Sequence, residues 1–152
     1  MGKIFCSIAA MLDPMLISTI EDMISKAKNP ENLVFGVCIQ DTEERIAEFD
    51  NKYKNRDNFR ILRIKPEDSK GCCWARAKVQ QLMGDEEYFF QSDSHHRYIK
   101  DWDQVCIDML KRCQELSKID KVVLSTYATP VSYTHLTLPT NRGCRSRWSP
   151  YH

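Results

Sequence analysis

The run "LVFGVCI" at residues 33–39 decides how the rest of the chain is interpreted. Seven apolar or small residues follow one another there without a polar interruption. Strands that are covered by helices on both faces show such continuous runs, whereas strands with one face in water alternate between apolar and polar residues. The run therefore predicts a central strand of a mostly parallel sheet.

Strand-like and helix-like segments alternate along the rest of the chain. Five segments have the apolar composition of strands, at 3–9, 33–39, 59–64, 88–92 and 121–127. Helical spacing of apolar residues falls between them at 13–28, 71–84 and 100–118, while the polar residues 40–58 are expected to form a loop with a loose helix. This alternation predicts an α/β fold with a Rossmann-like, mostly parallel sheet flanked by helices.

The sequence also predicts how the first helix begins and how far the fourth strand is buried. Asp13 precedes the first helix and is expected to be its N-cap, with Pro14 at the first helical position. Tyr88, Phe89 and Phe90 are expected to lie buried in the fourth strand.

The last segment, "VSYTHLTLPTNRGCRSRWSPYH" at residues 131–152, differs from everything before it. It contains no acidic residue and no hydrophobic period, and it resembles the translation of an adaptor used in transposase-based sequencing libraries. We therefore interpret 131–152 as a non-native tail that is expected to be disordered, and we exclude it from fold reasoning. An arginine-rich tail that binds nucleic acid is the alternative. On the adaptor interpretation, the natural protein is expected to continue beyond Pro130.

Charge and cysteine content narrow the function classes. The chain has 22 basic and 21 acidic side chains, and without the tail's three arginines the balance is 19 to 21, a net charge of −2 with neutral histidines. No basic face indicates a nucleic-acid partner. Six cysteines precede the tail without a paired CxxC pattern, which favours reduced thiols in a cytoplasmic protein. No stretch approaches the ~20 apolar residues of a membrane span, and a signal peptide is the weaker interpretation of residues 1–14.

Polar residues follow the predicted strands where those strands end. Asp13 follows the first strand, Gln40 and Asp41 the second, Lys65 the third, and Asp93 and His95 the fourth. Ligands of parallel α/β sheets bind beyond the carboxyl ends of the strands. These side chains are therefore expected to converge on one crevice.

The motif Asp93-Ser94-His95 has the donor chemistry of a metal site. Carboxylate oxygen suits Mg²⁺ or Mn²⁺, and one imidazole shifts the preference toward Mn²⁺. Two protein ligands would leave coordination positions open for a substrate diphosphate. A solvated polar loop is the alternative interpretation. His96 is not expected to be a ligand, and Arg97 is either a phosphate contact or a surface charge.

Three stretches resemble the GlcNAc-transferase family: "IFCSIAAMLDPMLISTIEDMISKAKNPENLVFGVCIQ", "SKGCCWARAKVQQLMGDEEYFFQSDSHHRYIKDWDQVCIDML" and "KVVLSTY". The likeness runs in order through residues 3–130. It implies a GT-A fold in which residues 1–130 are the nucleotide-sugar-binding part of a C-terminally truncated domain. It also implies transfer of N-acetylglucosamine from UDP-GlcNAc to a hydroxyl of a protein or glycan acceptor. The best-known member modifies hydroxyproline on a cytoplasmic ubiquitin-ligase subunit, which implies a cytoplasmic location.

The resemblance implies a role for the Asp93-Ser94-His95 motif in particular. It takes the DxD-like position, in which Asp93 and His95 hold Mn²⁺ or Mg²⁺ on the donor diphosphate and Ser94 lies at the nucleotide sugar. Transfer with retention at the sugar carbon is also implied, so no dedicated carboxylate base is required and none is assigned.

The same resemblance implies further donor contacts. Gly71 and Arg76 lie in the loop and helix that related transferases place near the nucleotide, and Asp13 takes the acidic position that seats the nucleoside. Met11 stands where the family pattern has an aromatic residue, so base stacking at that position does not carry over.

Three alternatives remain open at this level. A metallophosphoesterase-like hydrolase could use the same DxH motif with two metal ions. A non-catalytic nucleotide-binding module would bind the donor without transferring the sugar. The chain as it stands could also be inactive, as half a domain followed by a non-native tail.

Overall fold

The computed structural model describes residues 2–126. Strands and helices alternate along them as β1 (Ile4–Met11), α1 (Leu16–Lys26), β2 (Leu33–Gln40), α2 (Glu43–Tyr53), β3 (Phe59–Ile64), α3 (Cys72–Gln80), β4 (Tyr88–Asp93) and α4 (Trp102–Ser117). Short 3-10 helices lie at Pro30–Asn32 and Pro66–Asp68. Residues 2–122 form one compact unit, and residues 123–126 belong to a second. The proposed tail at 131–152 lies outside the described residues.

The four strands form one sheet in the order β3-β2-β1-β4, and all neighbouring pairs are parallel. The predicted Rossmann-like, parallel α/β architecture is therefore confirmed. All eight residues of β2 are buried, as its uninterrupted apolar run predicts. The reason is that helices cover this strand on both faces.

Two hydrophobic clusters fill the space above and below the sheet. The larger one joins alternate residues of β1 and β2 to α1, α2 and α4, through side chains that include Ile8, Ile20, Phe35, Tyr53 and Trp102. The smaller one joins the intervening strand residues to α3, and its buried members are Phe5, Val34, Cys38, Ala75 and Val79. Helix α3 thus packs on the face of the sheet opposite to the other three helices.

Gly36 lies where the α3 face is most tightly packed. A Cβ atom at this position would lie 2.2 Å from Cζ of Phe5 and 2.9 Å from Cγ1 of Val79, and both of those side chains are fully buried. We expect Gly36→Ala to lower the free energy of unfolding by about 1–3 kcal/mol, because overpacking forces buried neighbours off their preferred rotamers. Urea unfolding monitored by circular dichroism measures the loss.

Gly84→Ala is the matched control for that substitution. The nearest atoms to a Cβ at Gly84 are 3.5 Å away, at the guanidinium of Arg60, which is an ordinary contact distance. We expect its unfolding midpoint to stay close to that of the wild type. Equal stability of Gly36→Ala and Gly84→Ala would show that Phe5 and Val79 can yield without cost.

The predicted helix cap at Asp13 is wrong. Helix α1 begins at Leu16 after a turn, its N-cap residue is Met15, and no side chain caps it. One oxygen of Asp13 accepts the backbone N–H of Met15 at 2.9 Å, while the other is turned toward the loop after β4. The carboxylate is thus used across the carboxyl edge of the sheet instead of closing the helix end.

The polar segment 40–58 contains a regular helix instead of the expected loop with a loose helix. Ile46, Phe49 and Tyr53 recur three and four residues apart, so they fall on one face of α2. Tyr53 is buried and stacks on Phe59 with ring centroids 4.5 Å apart. The surrounding charged residues hid this narrow apolar stripe at the sequence level.

Two expectations for the strands also need correction. Strand β4 lies at the edge of the described sheet, and Phe89 is 43% exposed, so the run 88–90 is not fully buried. The predicted fifth strand at 121–127 is absent from residues 121–126, which carry no regular secondary structure, and Tyr127 lies outside the described residues. A β-branched run becomes a strand only where a neighbouring strand supplies hydrogen bonds, and composition does not report that neighbour.

Candidate functional site

The candidate site lies where the strand order of the sheet reverses. From β1 the chain moves outward to β2 and β3 and then returns to β4 on the other side of β1. Crevices at the carboxyl ends of strands beside such a switch point are where α/β sheets bind ligands. The loop after β1 carries Asp13, and β4 ends at Asp93, with Ser94 and His95 directly after it.

Asp13 is the centre of the first polar group at this edge. Its Oδ2 accepts a hydrogen bond from the Ser94 hydroxyl and lies 2.9 Å from Nδ1 of His95, and its Oδ1 accepts the N–H of Met15. Burial opposes ionisation of Asp13, but the bonds from Ser94, His95 and Met15 outweigh it and hold the pKa of this carboxyl below its usual value. Asp13 is therefore a fixed anion that joins the ends of two strands.

Asp93 belongs to a second polar group. Its Oδ1 accepts a hydrogen bond from Nη2 of Arg76 on α3 at 2.6 Å. Its Oδ2 lies 3.7 Å from Nε2 of His96. Both Asp93 and Arg76 are partly exposed, with side-chain exposures of 42% and 39%, so the pair faces solvent at the crevice.

The predicted site residues therefore fall into two adjacent groups. Asp13, Ser94 and His95 are brought together in one, and Arg76 and Asp93 in the other. Within the described residues, Asp93 and His95 form no ion pair or hydrogen bond with each other. His95 is 61% exposed and pairs with Asp13 instead.

The remaining two predicted residues contact neither group. Gln40 ends β2 with 2% exposure; its Nε2 donates to the carbonyl of Ala10 at 3.4 Å, and its Oε1 has no hydrogen-bond partner among the described residues. Gly71 precedes α3 with φ of 91°, a backbone conformation that favours glycine, and among the described residues no atom outside its immediate chain neighbours lies within 4 Å of the position of a Cβ. The space in front of the first turn of α3 is thus open.

Helix α1 holds the loop that carries the histidines. The hydroxyl of Thr19 donates to the carbonyl of Ser94 at 2.7 Å, and Asp22 accepts the N–H of Tyr98 at 2.7 Å. Arg97 donates to the Thr19 hydroxyl at 3.1 Å. The loop is preorganised by these bonds, and the Arg97 side chain is turned to α1 instead of projecting freely from the surface.

Sequence reasoning missed a third set of contacts beneath this loop. The Ser92 hydroxyl, which is buried, is bonded to the Tyr98 hydroxyl and lies 3.3 Å from Nδ1 of His96. Ser92 points away from solvent at the end of an edge strand, and only its alternation with Asp93 along β4 could have indicated this. The set fixes the orientation of His96 beside Asp93.

An open cleft of about 420 Å³ adjoins Asp13 between α1 and α2. Its polar lining includes Asp41, which accepts the N–H of Thr42 at 2.8 Å and pairs with Arg45 at 3.4 Å. The cleft adds room beside the first polar group at the same edge of the sheet.

Two features are absent from residues 2–126. No group of three or more His, Cys, Asp or Glu side chains forms a ready-made metal cage in this part of the chain. No helix in it has both the length and the apolar character needed to cross a bilayer.

An all-parallel sheet with a polar cluster at its switch point defines a Rossmann-like α/β protein whose candidate site is at the carboxyl edge. The family model described as "Glycosyltransferase (GlcNAc)" matches residues 3–48 and 43–142. The chain therefore belongs to the GlcNAc glycosyltransferase family. The second matched range extends past Pro130 to residue 142, and the adaptor interpretation of 131–152 stays a prediction. No curated protein and no solved structure matches the chain significantly.

Proposed function

We propose that this chain binds UDP-GlcNAc and transfers its N-acetylglucosamine to a hydroxyl of a protein or glycan acceptor in a metal-dependent reaction. Membership of the GlcNAc glycosyltransferase family supports the transferase class and the sugar. The observation that carries the site is the meeting of Asp13, Ser94 and His95 beside Asp93 and Arg76 at the switch point.

The donor atoms left free in these groups fit Mn²⁺ or Mg²⁺. Asp13 engages Nδ1 of His95, and Nε2 of that ring has no hydrogen-bond partner among residues 2–126. A carboxylate in this position is of the kind that orients metal-binding histidines. Arg76 donates to one oxygen of Asp93, and within the described part of the chain the other oxygen accepts no hydrogen bond and lies 3.7 Å from Nε2 of His96. Asp93 and His95 would hold the cation, with positions left open for a diphosphate.

Transfer of the sugar requires stabilisation of the negative charge that develops on the departing UDP. UDP departs as a diphosphate, so negative charge grows on the oxygen that leaves the sugar carbon. A bound divalent cation would act as a Lewis acid on that charge. The guanidinium of Arg76, already beside Asp93, would bind a phosphate oxygen on the same side of the crevice. The open space before Gly71 would admit the phosphates close to the backbone.

Three other side chains would bind or align the rest of the donor. Asp13 would seat the nucleoside, and Ser94 would keep Asp13 in place through its hydroxyl. The unpartnered Oε1 of Gln40 offers a hydrogen-bond acceptor at the end of β2. We assign no catalytic base among the described residues.

Isothermal titration of the 152-residue chain with UDP-GlcNAc tests the proposal. We expect binding in the presence of Mn²⁺ and weaker binding when the ion is removed by chelation, because the cation would neutralise and orient the diphosphate. A thermal unfolding experiment should show the same dependence, because ligand at 100 times its Kd adds about 2.7 kcal/mol of stability. Failure to bind UDP-GlcNAc under both conditions contradicts the proposal.

The substitution Arg76→Gln separates a phosphate contact from a merely structural ion pair. We expect the affinity for UDP with Mn²⁺ to fall by roughly 10- to 100-fold, as loss of a charged hydrogen bond of about 1.5–3 kcal/mol requires. The affinity for Mn²⁺ alone should not fall, since Arg76 is a cation that competes for Asp93. Arg112→Gln, on the exposed side of α4, is the charge-matched control. If both variants bind UDP like the wild type, Arg76 has no role at the diphosphate.

Family membership favours a transferase over the phosphoesterase alternative. Product analysis separates them further: a transferase yields UDP from UDP-GlcNAc, whereas a phosphoesterase cleaves the diphosphate and yields UMP. A non-catalytic binding module would bind the donor and release neither. The proposed cytoplasmic location agrees with the free thiols of the six cysteines in the described residues.

A further inference from the structure

The cleft between α1 and α2 has an apolar floor. Leu16 on α1, Ile39 near the end of β2 and Phe49 on α2 line it, and each of them is at most 3% exposed. The cleft volume of about 420 Å³ falls within the range of cavities that hold small ligands. The floor therefore offers van der Waals contact, without charge, to an aliphatic chain.

Acidic side chains surround this floor. Four carboxylates line the cleft: Asp13, Glu21, Asp41 and Glu48. Two of them have a cationic partner, because Glu21 pairs with Lys52 and Asp41 pairs with Arg45 at 3.4 Å. The cleft and its ion-pair partners thus hold four carboxylates and two cations.

The excess negative charge comes from Asp13 and Glu48. Glu48 is exposed on α2 and forms no ion pair with any described residue. The partners of Asp13 are Ser94, His95 and Met15, so no lysine or arginine among residues 2–126 pairs with it. The whole chain has a net charge of +1, so the negative charge is a local feature of the cleft. Clefts lined by charges of one sign attract ligands of the opposite sign.

We infer that this cleft binds a lysine or arginine side chain from a basic segment of the protein acceptor. Such a side chain lays its aliphatic stem along apolar surface and keeps its charged head at a polar rim, which matches the floor and the carboxylates. The inference rests on the proposed function, because that function identifies the partner as an acceptor. Asp13 belongs both to the cleft and to the first polar group, so a segment anchored in the cleft lies beside the donor site.

The donor phosphates and the basic segment would occupy different parts of the sheet edge. The carboxylates of the cleft repel a diphosphate, whereas the guanidinium of Arg76 beside Asp93 attracts it. A neutral nucleoside is the competing occupant of the cleft. Competition with uridine distinguishes it from a basic segment.

Isothermal titration with tetralysine tests the inference on the 152-residue chain. We expect tetralysine to bind without donor or metal, and its affinity to fall as salt is added, since salt screens exposed charges. Tetraglutamine, which has a similar length and no side-chain charge, should not bind. Uridine should not displace tetralysine.

Two substitutions in the cleft should change this affinity in opposite directions. Glu48→Lys places a cation beside the floor, and we expect tetralysine to bind at least about tenfold more weakly. Arg45→Gln removes the cation that competes for Asp41, and we expect binding to tighten by about two- to fivefold. A loss of structure would weaken binding in both variants, and circular dichroism checks that each is folded.

Each variant has a charge-matched control on α4. Glu115→Lys and Arg112→Gln make the same changes at exposed positions outside the cleft, and we expect both to bind tetralysine like the wild type. An equal loss of affinity in Glu48→Lys and Glu115→Lys would show general charge attraction and overturn the inference. Displacement of tetralysine by uridine would assign the cleft to the nucleoside and overturn it as well.

Separate titrations with donor and peptide distinguish this inference from the proposed function. A wild-type chain that binds UDP-GlcNAc with Mn²⁺ but does not bind tetralysine overturns the role of the cleft and leaves the proposed function intact. A chain that binds tetralysine but not UDP-GlcNAc contradicts the proposed function and the identification of the partner as an acceptor, while the preference of the cleft for a cation stands.

Discussion

The Asp93→Asn variant is expected to lose Mn²⁺-dependent UDP release from UDP-GlcNAc by roughly 100- to 1000-fold. Asp93 would supply the cation with its only carboxylate ligand from β4, and an amide has no charge to hold the ion. The loss compares with the roughly 3 kcal/mol that one preorganised electrostatic group contributes at an active site. Steady-state assay of released UDP measures it.

Asp108→Asn is the matched control, because it makes the same change of charge at an exposed position on α4 whose side-chain contact is with Gln104. We expect it to retain wild-type turnover. Asp93→Asn should also unfold at nearly the wild-type temperature, since the side chain of Asp93 is partly exposed and its ion pair with the partly exposed Arg76 faces solvent. Equal turnover in both variants would remove Asp93 from the reaction.

The second large effect is expected for stability, in the variant Asp103→Asn. Asp103 is fully buried, and its two oxygens accept the backbone N–H groups of Lys28 at 2.7 Å and Asn29 at 2.9 Å. In the Asp103→Asn variant an amide NH₂ group would replace one carboxylate oxygen. This hydrogen-bond donor would then face a backbone N–H group, which is also a donor. Loss of a charged hydrogen bond and burial of an unpaired group together should cost about 3 kcal/mol in the free energy of unfolding.

The stabilisation by Asp103 should depend on pH. Burial opposes its ionisation, but hydrogen bonds from the backbone N–H groups of Lys28, Asn29 and Gln104 outweigh this and hold its pKa below the ordinary value of 3.8. A carboxyl whose pKa is lower in the folded state stabilises the fold above its unfolded pKa, and the effect disappears as the pH falls toward the folded pKa. The difference between wild type and Asp103→Asn should therefore be full at pH 7 and shrink below about pH 4.

Urea unfolding at pH 7 and at pH 3 measures both parts of this prediction. Asp108→Asn again serves as the control, since its carboxylate is exposed on the same helix, and we expect it to change stability by less than about 0.5 kcal/mol. A difference between wild type and Asp103→Asn that grows on acidification would show that the ionised form of Asp103 is not what holds the loop between α1 and β2.

Much of the site could be predicted because strand ends in a parallel sheet share one edge. Asp13 and Asp93 could be assigned to that edge from their positions after apolar runs, and the structure brings their loops together. The partners of each side chain could not be predicted. From their spacing in the sequence, Asp93 and His95 were predicted to act together. In the structure, the turn after β4 places the His95 ring beside the carboxylate of Asp13 and the His96 ring beside that of Asp93.

The sequence by itself determined the class of fold, because two local patterns indicate it. The uninterrupted apolar run of β2 indicates a strand covered on both faces, and the alternation of strands with helices indicates a parallel sheet. It also determined the family, since the family model matches these residues in order. Only the tertiary structure decided the strand order, the edge position of β4 and the division of the acidic and histidine side chains into two groups. These depend on contacts between residues far apart in the sequence, such as Ile4 with Tyr88 in the sheet and Asp13 with His95 at its carboxyl edge, which no local pattern encodes.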